Sequence, residues 1–259
     1  MTISRLPRTV RWTVAVLLGT AVLVACTMVA SPRDGGESVP PALLDPPPTL
    51  DLPTAEAMPE TLPVTSWGGT GHDLAVVVAN DTGATITQAQ VTIVGLDAAD
   101  QPVTLSSGTP GDPCCSIIGV PSEGQFGLFA HLERPVDDLD GVEVRIDSVS
   151  LEADEPGDRV DVEAATLDLV ADDAVVTATL RPRGAVGPYV VGQAVLVDEG
   201  DRPVGVISGR FYCFEDRDRR DVRMELLRPA PTGTSIGQVM AYPIPADVSP
   251  GAVAGSCES

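Results

Sequence analysis

Past its first thirty residues the chain places its hydrophobic side chains in short runs and alternations closed by Gly, Pro, Asn or Asp, with little apolar spacing of helical period. A period of two is the mark of a strand, whose side chains point in turn to the two faces of a sheet. The pattern predicts strands near Leu74–Ala79, Gln90–Leu96, Gln125–Leu132, Gly141–Val149, Val175–Leu180, Tyr189–Val197, Asp221–Leu227 and Ser235–Ala241. Gly68–Gly71, which has neither the spacing of a dinucleotide loop nor a helix after it, reads as a flexible entry to the first of these strands.

The strand pattern occurs twice. Leu96-Asp97-Ala98-Ala99-Asp100-Gln101-Pro102-Val103 matches Val197-Asp198-Glu199-Gly200-Asp201-Arg202-Pro203-Val204 at an offset of 101, with both Asp, the Pro and the last Val identical. Ser107-Gly108 matches Ser208-Gly209 at the same offset, and Leu132-Glu133-Arg134-Pro135 matches Leu226-Leu227-Arg228-Pro229 at an offset of 94. A period near 100 residues is a duplicated domain rather than a solenoid of short units.

Short strands at this spacing, separated by Gly and Pro turns, predict an all-β fold of two tandem β-sandwiches. The order of apolar strand, Asn-x-x-Gly turn, alternating strand and Leu-Asp-x-x-x-x-Pro-Val resembles the FxLYD-type and related immunoglobulin-like modules of bacterial exported proteins. That resemblance implies an extracellular structural or binding module with no chemistry of its own. The expected division is an anchor or signal at 1–30, a stalk at 31–63, sandwiches at 64–150 and 165–248, a linker at 151–164 and a tail at 249–259.

The first thirty residues supply an address. Arg5, Arg8 and Arg11 precede an uncharged, mostly apolar run from Trp12 to Ala30, the arrangement of an export signal with its charged end in the cytoplasm. Leu23-Val24-Ala25-Cys26 resembles the lipobox of bacterial lipoproteins, which would make Cys26 a lipidation site. The run also continues past Cys26 to 19 residues, close to the ~20 that span a bilayer. Lipid anchor, single-pass helix and cleaved signal all stay open. Nine prolines in residues 31–63 favour an extended, semi-rigid stalk.

Beyond the three leading arginines the chain sets 13 basic residues against 37 acids, a net charge of −24. Phosphate contacts need a basic surface, so nucleic acid is not an expected partner. The chain has no Lys, which removes a P-loop, a Schiff-base lysine and a Ser-Lys dyad together. Gly233-Thr234-Ser235-Ile236-Gly237 fits the nucleophile-elbow pattern, but no His follows Ser235 as that fold requires. Only nine aromatic residues are present, few for a sugar-binding cleft around paired carboxylates.

Five cysteines are present: Cys26, Cys114, Cys115, Cys213 and Cys257. With Cys26 lipidated, the other four allow either pairings that tie one copy to the other or a vicinal Cys114–Cys115 bridge beside Cys213–Cys257. No zinc spacing occurs, and only His72 and His131 could assist the thiols. Asp97, Asp100, Asp198 and Asp201 are weak calcium candidates outside any EF-hand spacing; solvated turns are the simpler reading. His131 reads as a surface residue. The expectation is a non-enzymatic binding or adaptor module on the cell surface, without cofactor, held to the membrane by its N-terminus and facing a protein partner. A structural spacer and a small hydrolase of unfamiliar type are the alternatives.

Overall fold

Alternating side chains become sheets once their backbones pair, and the pairing here is antiparallel throughout. The computed structural model describes residues 60–106, 116–154, 157–170, 173–214, 219–226 and 229–245. Among them the fold is all-β: β1 (Thr61–Leu62), β2 (Val64–Thr70), β3 (Asp73–Ala79), β4 (Thr85–Leu96), β5 (Pro102–Leu105), β6 (Ser116–Val120), β7 (Gln125–His131), β8 (Gly141–Glu152), β9 (Arg159–Val170), β10 (Asp173–Arg183), β11 (Val190–Val197), β12 (Pro203–Phe211), β13 (Arg220–Leu226) and β14 (Ser235–Pro243). No described helix is long and apolar enough to cross a membrane. The anchor or signal at 1–30, most of the stalk and the tail at 249–259 lie outside the described residues.

Four sheets form. Sheet I runs β1-β8-β4-β5, with β6 also on β4; sheet II is β2-β3-β7, sheet III β12-β11-β14 and sheet IV β13-β10-β9. Three apolar clusters lie between them, so the sheets are stacked in that order. Leu74, Val76 and Val78 of β3 meet Ile86, Val91 and Ile93 of β4 between sheets I and II. Ala174, Val176 and Leu180 of β10 meet Val190, Ala194 and Leu196 of β11 between sheets III and IV. Between these two cores a third cluster joins sheet II to sheet III, with Ala75 and Val77 against Val195, Val197, Val206 and Met240. Strands β3 and β11 are therefore buried on both faces, which is why both read as apolar runs.

The duplication is visible in the pairings. Strand β3 lies between β2 and β7 as β10 lies between β9 and β13, and β4 pairs β5 and β8 as β11 pairs β12 and β14. Sheet II thus corresponds to sheet IV, and sheet I to sheet III. The halves meet head to tail, one sheet of the first against the non-equivalent sheet of the second.

Side chains explain why only one such seam forms. Facing sheet III, sheet II carries the cross-strand pairs Ala75↔Phe129 and Val77↔Gly127. The corresponding pairs on sheet IV are Thr177↔Arg223 and Thr179↔Asp221. On sheet III the seam carries Gln193↔Met240 and Val195↔Val206, where sheet I has Thr92↔Arg145 and Val94↔Leu105. The outer face of sheet IV is laced with ion pairs, Arg183 and Arg159 on Asp161 and Arg181 and Arg219 on Glu163. A head-to-tail contact can propagate without limit unless its ends are made unlike its middle, and here the sheet IV end is ion-paired.

Three boundaries differ from the sequence reading. Gly68 and Gly69 lie inside β2, where a side chain at Gly68 would stand 2.5 Å from the Pro203 carbonyl oxygen; close approach of β12, not flexibility, requires the glycine. Of the expected linker 151–164, residues 151–152 end β8 and 159–164 begin β9. The last residues assigned to the stalk include β1, which pairs with Arg145 and Val144.

Candidate functional site

The two copies of Leu/Val-Asp-x-x-x-x-Pro-Val fold into the same turn. In each, the first Asp accepts the N–H of the residue three on at its carbonyl: Asp100 to Asp97 at 2.9 Å and Asp201 to Asp198 at 3.1 Å. Its Oδ1 accepts two further N–H groups, from Ala99 and Gln101 at Asp97 and from Gly200 and Arg202 at Asp198. Asp100 and Asp201 take left-handed backbone at φ 56° and 59°, a region Asp tolerates. The signature thus encodes a three-residue hairpin loop. Backbone N–H donation, from Gln101 then Ala99 at Asp97 and foremost from Arg202 at Asp198, holds both carboxyls below their ordinary value. All four calcium candidates sit in these two turns, and no group of three His, Cys, Asp or Glu side chains suited to a metal occurs among the described residues.

Cys213 is disulfide-bonded. Cys26, Cys114, Cys115 and Cys257 lie outside the described residues. Beside Cys213, the guanidinium of Arg220 lies 5.6 Å from the Tyr212 ring and 5.4 Å from the Phe214 ring, within cation–π range. Ser235 opens strand β14 rather than a helix, so the elbow pattern is a turn into a strand.

The seam between the halves carries most of the polar chemistry that the sequence did not reveal. Gln193, 1% exposed on the fully buried β11, accepts the Gly127 N–H at 2.9 Å and donates to the Gly127 carbonyl at 2.8 Å and to Ser208 Oγ at 2.7 Å. Tyr242 accepts the Gln125 N–H at 3.1 Å and donates to its carbonyl at 2.8 Å; burial raises its pKa. A lone Gln within Val190–Val197 was the available signal for the first contact. Nothing local marked the second.

At one end of the seam is a cleft of about 320 Å³. Thr70, Asp73 and Phe129 line it from the first half, and Val204, Leu226 and the Pro229–Pro231 segment from the second. Beside it lie both histidines of the chain. Strands β2 and β3 turn through Gly71, at φ 60°, and His72, a two-residue loop with glycine at its first position. The β3–β7 register sets Asp73 opposite His131, and His131 Nδ1 is 2.9 Å from Asp73 Oδ1. His72 Nδ1 is 3.0 Å from the Leu132 carbonyl oxygen, and the two imidazole centroids are 5.6 Å apart. His131 is a surface residue, as expected, with its side chain 72% exposed.

No protein-family model matches the chain, and no curated protein matches it.

Proposed function

We propose that the chain is a non-catalytic binding or adaptor module displayed outside the cytoplasmic membrane, with two immunoglobulin-like sandwiches fused into one block. The observation that carries this reading is the apolar cleft at the end of the seam, where residues of both halves line a recess large enough for a side chain. It can exist only when the halves are docked, so the duplication has a use beyond spacing.

The carboxyls with lowered pKa values lie away from the cleft, whose own carboxyl is that of Asp73. Asp97, Asp154, Asp161 and Asp198 are all held below their ordinary values by hydrogen bonds from turn N–H groups, hydroxyls or arginines, and none lines the cleft. A general acid needs its pKa raised toward the working pH. The ion-paired outer face of sheet IV favours the spacer alternative.

The test is site-specific photocrosslinking on intact cells, with the reactive side chain at Thr70 in the cleft or at Asp168 on the outer face. An adduct of defined mass formed from Thr70 alone, and lost in Phe129→Ala, is expected. Equal labelling from both positions, or none, would replace the binding reading with the spacer. Fractionation of the same cells tests the location: recovery with the membrane is expected, and a soluble cytoplasmic protein would overturn it.

A further inference from the structure

The chain has two histidines, 59 positions apart in sequence, and the fold brings them together. Their partners fix their chemistry. The Leu132 carbonyl oxygen can only accept a hydrogen bond, so His72 Nδ1 carries the proton. The Asp73 carboxylate likewise accepts from His131 Nδ1. In the neutral rings both lone pairs therefore sit on Nε2. A backbone carbonyl on one Nδ1–H and a carboxylate on the other are the two supports that orient metal-ligating imidazoles.

Placement agrees with this. Asp73 is held across from His131 by strand pairing, and the Leu132 N–H also donates to the His72 carbonyl at 2.8 Å, so both ring partners are fixed by backbone. Both histidines are exposed, which leaves their outer edges open to solvent. The neighbouring cleft is lined by Asp73 itself.

We propose that His72 and His131 together bind one divalent ion of the late first-row class, zinc or copper, through their Nε2 atoms. Imidazole suits these ions, whereas calcium and magnesium take oxygen ligands. Two protein ligands leave coordination positions for water or for a donor group of whatever enters the cleft. This inference stands on the imidazole geometry and does not depend on the proposed location or on the adaptor reading.

The test is calorimetric titration of the full chain, detergent-solubilised and with its cysteines oxidised, with zinc chloride. One equivalent should bind per chain. His72→Gln and His131→Gln should each weaken binding at least about tenfold, and Asp73→Asn about tenfold through loss of the supporting carboxylate. Copper(II) should give a paramagnetic resonance spectrum split by two imidazole nitrogens, reduced to one in either histidine variant. Circular dichroism of the variants should match the parent, because both rings lie at the surface. Zinc uptake unchanged in the double His variant, loss confined to one of the two histidines, or no uptake by the parent would each overturn the proposal.

Discussion

Gln193 gives both ends of its side-chain amide to one residue of the other half, closing a two-bond ring with the backbone of Gly127 at 2.9 and 2.8 Å. The contact works because Gly127 has no side chain: a Cβ there would stand 2.7 Å from Val206 Cγ1. Gln193→Leu leaves a buried N–H and carbonyl unpaired and should cost about 1–3 kcal/mol. Gly127→Ala should cost a similar ~1–3 kcal/mol through overpacking. Urea denaturation of each variant measures both. A loss below about 0.5 kcal/mol in both would mean that the seam is loose.

The ion-paired outer face of sheet IV predicts what happens when its polar residues are replaced. Replacing Thr177, Thr179, Asp221 and Arg223 with Ala, Val, Gly and Phe copies the seam face of sheet II onto the outside of sheet IV. The parent's mass by light scattering should be independent of concentration, and the quadruple variant's should rise with it. A variant as monodisperse as its parent would show that these four positions do not hold the stack at its present length.

Acid should reveal the two turn aspartates. Asp97 and Asp198 have folded-state pKa values below the ordinary 3.8, so the stability they contribute is present above pH 3.8 and is lost as pH falls through their lower folded values. The double variant Asp97→Asn, Asp198→Asn should be less stable than its parent at pH 7, and the difference should shrink below pH 3.8. Equal stability at every pH would mean that the lowered values do not contribute to folding.

The Cys213 disulfide should stabilise the fold. Reduction is expected to cost about 2–4 kcal/mol and to lower the melting temperature. Melting curves with and without reductant that superimpose would show that the bond closes no loop of consequence.

Much of this fold was legible because alternation and turn chemistry are local. The strands near Leu74, Gln125 and Ser235 were placed from their own residues, and the repeated Asp turn could be found from its six-residue spacing. Strand β9 was missed because a register irregularity opposite Thr179–Leu180 breaks its alternation at Glu163–Ala164, and the alanines that follow carry little strand signal. The candidate site was less legible than the fold. His72, Asp73 and His131 meet only through the β3–β7 register, and the cleft exists only through the docking of two halves; each is a long-range relation that no window of sequence contains.

The central claim is that the two sandwiches are one cooperative block joined through Val77, Val195, Val206 and Gln193. Hydrogen exchange of the full chain across a urea series, read on peptides from β4 in the first half and β10 in the second, tests it most directly. A fused block opens both peptides with the same midpoint and the same slope. Two separated midpoints would show halves that unfold independently and would contradict the account.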